Sequence, residues 1–210
     1  MPWSSNFLEP IIIVGMARSG TSMVAGVFKA HGLWGGTSLR APTTKYPKGF
    51  NEHQKIKGLL LKNFGRADIH NKPFDFRPDW AKQVYSVLRG ERYDEERWFV
   101  KHSALYARAW EEFRPLWILV RRSEKGILAS LERRGQMIER SKDWWKEHIR
   151  QHVDEMDRLE LEAGGVSIFA DELIKGIFWS AERALLHCGL DYDRDKVKEV
   201  IRPEVWGLNA

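Results

Sequence analysis

Apolar and polar positions follow two rhythms along this chain. Residues 11–14 are all β-branched and end at Gly15, a run too short for a helix and suited to a buried strand. Residues 98–100 and 116–120 are further apolar runs of strand length, and residues 166–169 predict another strand. Between them the spacing turns helical. Residues 21–30 predict a helix directly after the first strand, and residues 52–63 place Ile56, Leu59 and Leu60 on one side. From Asp79 onward Trp80, Val84 and Leu88 recur every fourth residue, which predicts a further amphipathic helix. Trp145, Ile149, Val153, Met156 and Leu159 mark a long helix, and Leu173, Ile177, Ala181 and Leu185 predict a final long one. Residues 32–49 are rich in Gly, Pro, Thr and Lys and predict a loop able to lie over a ligand. Strands alternating with helices predict an α/β fold of three layers, α/β/α, with a central parallel sheet covered on both faces.

Composition sets bounds on this picture. A chain of 210 residues, 43% hydrophobic and without repeats or linkers, predicts one domain over residues 1–210. The single cysteine, Cys188, rules out an intrachain disulfide or a cysteine metal cluster and suits a reducing compartment, so a cytoplasmic location is expected. Neither secretion signal nor membrane span is expected, because no basic segment precedes a long apolar run near the start. Lysine and arginine number 34 against 29 acidic residues, a net charge of +5 that favours anionic ligands without forming a polybasic tail. Zinc-finger spacing and RNA-recognition signatures are missing, and no nucleic-acid partner is expected.

The candidate chemistry begins after the first strand. Gly15-Met16-Ala17-Arg18-Ser19-Gly20-Thr21-Ser22 has the GxxxxG spacing of a P-loop between a strand and a helix. Glycines let the backbone curl so that amide N–H groups face an anion, and the helix N-terminus adds partial positive charge. Thr21 and Ser22 add hydroxyls. The plainer alternative is a Gly-rich turn without a ligand. Thr21 stands where nucleotide-hydrolysing P-loops place lysine, and Arg18 supplies the charge instead. The strand runs at 98–100 and 116–120 lead into Lys101 and into Arg121 and Arg122, not into a magnesium-binding carboxylate. A sulfuryl group carries less charge than a terminal phosphoryl group and is transferable by fixed cations and N–H donors. No metal is expected.

With Arg18-Ser19-Gly20-Thr21-Ser22 in this position, the chain resembles the sulfotransferase family, as a compact member of bacterial or phage type. There a (K/R)SGT(T/S) loop holds the 5′-phosphosulfate of 3′-phosphoadenosine 5′-phosphosulfate (PAPS). The resemblance implies PAPS as donor. The family's second motif is an arginine ending a strand with a serine eight positions later, binding the 3′-phosphate. Arg122 and Ser130 reproduce that spacing, and guanidinium grips phosphate oxygens bidentately. Taken alone, the pair reads as a surface arginine and a solvated helix serine; the loop before it gives it its meaning. Lys48-Gly49-Phe50-Asn51-Glu52-His53 resembles the Gly-aromatic-x-Glu turn of bacterial members, and Glu52 is a candidate base for the acceptor hydroxyl. Its alternative role is a helix N-terminal carboxylate. Lys101 and His102 resemble the family's lysine turn, in which lysine reaches the sulfuryl oxygens. His102 is the rival base, or a structural histidine at a strand end. In animal cytosolic members the histidine follows two residues after the lysine, a place held here by Ser103.

The resemblance covers the first two thirds of the chain. Residues 169–172 are the candidate for adenine contact. Trp34, Trp80, Trp144 and Trp145 carry no assignment, because aromatic residues at helical spacing are usually core. The expected activity is transfer of a sulfuryl group from PAPS to a hydroxyl or amine of a small-molecule, carbohydrate or lipid acceptor. Two alternatives stand beside it: a small-molecule kinase using ATP, and a non-catalytic protein binding nucleic acid or another polyanion. Neither acceptor nor oligomeric state follows from the sequence.

Overall fold

In the computed structural model, which describes residues 9–42, 49–68, 77–94 and 96–201, the four apolar runs pair as one parallel sheet. Its strands are β1 (Ile11–Gly15), β2 (Phe99–Ser103), β3 (Leu116–Arg121) and β4 (Val166–Phe169), in the order β2-β1-β3-β4. Every residue of β1 is buried, as a central parallel strand covered on both faces requires. The register sets Gly15 beside Ser103 on one side and Val120 on the other.

The helices are α1 (Thr21–Ala30), α2 (Gln54–Phe64), α3 (Trp80–Arg89), α4 (Glu124–Arg133), α5 (Lys142–Ala163), α6 (Ala170–Ile174), α7 (Trp179–His187) and α8 (Arg194–Val200). A 3-10 helix, Ala104–Phe113, follows β2. Side chains alternate across the strands. Ile12, Val14, Val100 and Leu119 pack with Ile56 of α2, Trp80 and Val84 of α3, and Met156 of α5. Ile11, Ile13, Phe99 and Val120 pack on the other face with Phe28 of α1 and Leu185 of α7. Trp80 and Trp98 both meet Trp110 edge-on, with centroids 5.4 and 6.2 Å apart, so these rings are core. The three-layer α/β/α architecture expected from the sequence is present. Among the described residues no helix is long and apolar enough to cross a membrane.

Three elements differ from expectation. The strand predicted at 98–100 starts at Phe99 and runs on to Ser103, because β1 offers hydrogen-bonding partners as far as Gly15 whatever the side chains opposite. The predicted final long helix is split into α6 and α7. Gly176 adopts φ 79°, and Ile177 N–H bonds back to Glu172 O at 3.0 Å, the left-handed ending that closes a helix. The polar helix α8 carries too few apolar residues to announce itself. Its first turn is capped by Asp193, which accepts from the N–H groups of Asp195 and Lys196. Of the loop expected at 32–49, residues 43–48 lie outside the described residues. Its first part is fixed to the sheet edge, where Trp34 bridges to Trp98.

Glu91 secures the rest of that connection. The residue is 4% exposed, and its Oε2 accepts from Thr37 N at 2.7 Å, Thr37 Oγ1 at 2.9 Å and Ser38 N at 2.9 Å. Lys55 Nζ lies 3.1 Å from Oε1. Burial alone raises the pKa of Glu91, but the donors from Ser38, Thr37 and Lys55 outweigh it and hold the carboxyl at about 2. A carboxylate with a depressed folded pKa stabilises fully above its unfolded value and loses that contribution as pH falls towards the folded one. Glu91→Gln is therefore expected to lose on the order of 2 kcal/mol near neutral pH. In denaturant melts, the gap to the wild type should close as pH falls from about 4.5 towards about 2. A gap independent of pH would show that the charge of Glu91 contributes nothing.

Candidate functional site

In an open parallel sheet, ligands settle at the carboxyl ends of strands where the chain order reverses direction. Here β2 lies on one side of β1 and β3 on the other, so the reversal falls between the ends of β1 and β3. The loop from β1 to α1 and the residues after β3 meet there.

Gly15 ends β1 with no room for a side chain. A Cβ on it would sit 2.7 Å from Ser19 Oγ, 2.8 Å from Thr21 Cγ2 and 2.8 Å from Val120 O. The loop folds back over the strand end with Ser19 N–H bonded to Met16 O at 3.1 Å. Arg18 takes φ 72° and Gly20 φ 100°, and a left-handed arginine is an uncommon, strained choice. Gly20 is the N-cap of α1 and offers no side chain to its first-turn N–H groups, leaving an anion-favouring helix end. Thr21 and Ser22 begin that turn, both half-buried. Ser19 is 1% exposed, and its Oγ has no hydrogen-bond partner among the described residues. It lines a cavity of about 140 Å³ with Met16, Arg122, Ile149, His152 and Met156.

Arg122, just past β3, donates through Nη1 to Arg18 O at 3.1 Å and through Nε to Asp171 Oδ1 at 3.0 Å. Asp171 belongs to α6 and also accepts from Ser123 N and Oγ, at 3.0 and 2.7 Å. Burial raises its pKa, but these bonds from Ser123 and Arg122 outweigh it and leave the carboxyl below its ordinary value. Ser130 is buried in α4, where its Oγ accepts from Arg18 Nε at 3.1 Å. The predicted partners Arg122 and Ser130 are thus brought to the same loop and joined through Arg18. Both already hold protein partners. Arg121 also lines the cavity, but its guanidinium is paired with Asp157 and Glu160 of α5 at 2.7 Å each.

Lys101 and His102 part company because strand neighbours face opposite ways. His102 stacks on Trp110 with centroids 5.5 Å apart and planes at 13°. Burial first, then Lys101, holds its pKa well below 6.5, and its buried Nε2 lacks a partner among the described residues. Lys101 lies in the field of Glu52 and is 8% exposed. Burial lowers its pKa, and the attraction of Glu52 only partly offsets that. Glu52 itself accepts from Lys57 Nζ at 3.1 Å. Burial raises its pKa, but Lys101 and Lys57 outweigh it and keep the carboxylate ionised. The segment before α2 is held against α1 by Asn51, whose Nδ2 donates to Ser22 O at 3.1 Å. Glu52 and Lys101 are therefore brought together, while His102 is turned into the opposite core layer. Lys48, the first residue of the predicted turn, lies outside the described residues.

Comparison of the chain with protein-family models, curated proteins and solved structures finds no match. The site is therefore judged on its own groups. Sequence reasoning gave no role to Asn51, Ser103 or His152, and named Asp171 only within the 169–172 candidate for adenine contact, where the structure pairs it with Arg122. Their partners lie 29 to 49 residues away, with no local spacing to reveal them. The unequal circumstances of Lys101 yield a test. A buried ammonium whose main counter-charge is shared with Lys57 costs stability. Lys101→Met is expected to raise the melting temperature by about 2–4 °C. A lower melting point would mean that Lys101 is paid back by a full ion pair.

Proposed function

We propose that the chain transfers a sulfuryl group from PAPS to a hydroxyl or amine of an acceptor. The observation that carries this reading is the loop after β1. It joins an uncapped helix N-terminus, a left-handed Arg18 and a buried Ser19 hydroxyl that has no partner among the described residues. Such a set suits an anionic group held by N–H donors and a fixed cation. Thr21, in place of a lysine, together with Lys101 in β2 and Arg122 just past β3, favours this over a terminal phosphoryl group with magnesium.

PAPS supplies an activated sulfuryl group, and the rest falls to side chains of this chain. Arg18, Ser19, Gly20, Thr21 and Ser22 hold the 5′ end. Arg122 and Ser130 serve the 3′-phosphate, with Asp171 keeping the Arg122 guanidinium in place until an anion of higher charge competes for it. Lys101 lends positive charge to the sulfuryl oxygens, and Glu52, ionised beside it, receives the proton of the acceptor. His102, held in the core layer by Trp110, takes no part.

Two measurements test this. At a hundredfold excess over Kd, 3′-phosphoadenosine 5′-phosphate is expected to raise the melting temperature by about 5–10 °C. ATP with magnesium should do far less. In calorimetry, Arg122→Ala should weaken the bisphosphate at least about tenfold without loss of folding, as expected for a charge-assisted phosphate contact. Equal shifts from both nucleotides, or unchanged binding in the variant, would overturn the proposal.

A further inference from the structure

Ser103 ends β2 in register with Gly15, the residue from which the anion loop departs. Its hydroxyl is committed in an unusual way. Ser103 Oγ lies 2.7 Å from His152 Nε2 on α5, and His152 Nδ1 lies 2.7 Å from the carbonyl of His148. A carbonyl only accepts, so Nδ1 carries the ring proton and Nε2 is the bare acceptor. The bond to Nε2 must then be donated by the serine O–H. The same oxygen accepts from Leu105 N at 3.3 Å. With its one proton spent and one lone pair used, Ser103 Oγ keeps a single lone pair, which has no donor among the described residues. Ser103 is nevertheless part-exposed at the strand edge.

His152 is only 1% exposed. Burial first, then His148 beside it, holds its pKa at about 3. The groups around it are His148 on its own helix, Ser103 from β2, Arg121 at the end of β3 and Arg122 just past it, both of which line the same cavity. None of these is an acid that would draw a proton onto the ring, so the imidazole is neutral through the physiological range.

Resting on the sulfuryl-transfer reading, we infer that Ser103 orients the acceptor by taking a hydrogen bond from its O–H or N–H, and that His152 is the positioning residue that fixes this polarity. An oxygen that only accepts selects a group that donates. Alcohols, phenols and amines satisfy it, whereas an ether or carbonyl at the same place leaves two lone pairs opposed. This contact holds the acceptor on arrival and turns a lone pair of its oxygen or nitrogen towards the sulfur; as the new bond to sulfur forms and the bond from sulfur to the 5′-phosphate oxygen breaks, the proton leaves Ser103 for the Glu52 carboxylate.

The test uses the full chain saturated with 3′-phosphoadenosine 5′-phosphate, with phenol and its methyl ether, anisole, as probes. The wild type should bind phenol about tenfold more tightly than anisole, the worth of one hydrogen bond. The ratio should stay flat between about pH 5 and pH 9, because His152 does not titrate there. Ser103→Ala should bring the ratio close to one while leaving nucleotide affinity within about twofold, and Ser103→Thr should restore it. His152→Leu should lower the ratio as well, since the freed hydroxyl can then donate to anisole. Should that variant fail to fold, the Ala and Thr pair decides alone. Loss of the serine's purely structural bond to Leu105 would not change a ratio between two probes. Nucleotide binding with no phenol preference, or a preference that survives Ser103→Ala, overturns this inference alone. Absence of nucleotide binding by the wild type overturns the transfer reading and this inference with it.

Discussion

The close approach of three strand ends around Gly15 governs the rest of the site. Parallel pairing on both sides of β1 delivers Ser103 and Val120 to the flanks of Gly15, and the space above it is filled by Ser19 and Thr21. A chain leaving this point has nowhere to go but back over the strand. The left-handed Arg18 is the outcome. That one residue then organises its neighbours, its carbonyl receiving Arg122 and its guanidinium reaching Ser130. Strain in the loop is sustained by contacts from two other elements, as expected where a backbone is held ready for a ligand.

The charges around this loop are not bare. Arg122 is paired with Asp171, and Lys101 lies in the field of Glu52. Unpaired, such partly buried cations would repel one another and cost stability. Carboxylates within the site offset part of that cost, yet each carries a single charge, so an anion of higher charge would compete well for the same guanidinium. Partial charges at the end of α1 differ in kind. They come from backbone amides, need no counter-ion and stay in place when the site is empty.

How much of this was legible in the sequence depends on the range of the interactions. The apolar runs at 11–14, 116–120 and 166–169 became strands, and residues 21–30 a helix with the predicted ends, because burial on a periodic face is a local signal. The polar half of β2 was illegible, since its strand geometry is imposed by β1 rather than by Lys101, His102 and Ser103 themselves. The break at Gly176 was hidden by Leu173, Ile177, Ala181 and Leu185, which keep helical spacing across it. At the site, the glycine loop and the cations after the strands could be read directly. The assignment of opposite faces to Lys101 and His102 could not, because it required knowing that both belong to a strand.

Ser103 and His152 show why the remainder needed three dimensions. Alone, each is an ordinary polar residue, and 49 positions separate them. Their meaning comes from a sequence of constraints: the His148 carbonyl fixes the tautomer, the tautomer fixes the direction of the serine proton, and the proton fixes what the serine oxygen can still accept. Burial of His152 makes that chain of consequences insensitive to pH. Lys101 is buried at the same sheet edge and its pKa is lowered too, but there the neighbouring Glu52 carboxylate partly offsets burial and favours the charged form. One edge of the sheet therefore carries a cation set beside the Glu52 carboxylate and a neutral, directional group set against α5. A transfer reaction between an anionic donor and a neutral hydroxyl calls for that division, because a single field strong enough to hold the first would leave the second unoriented.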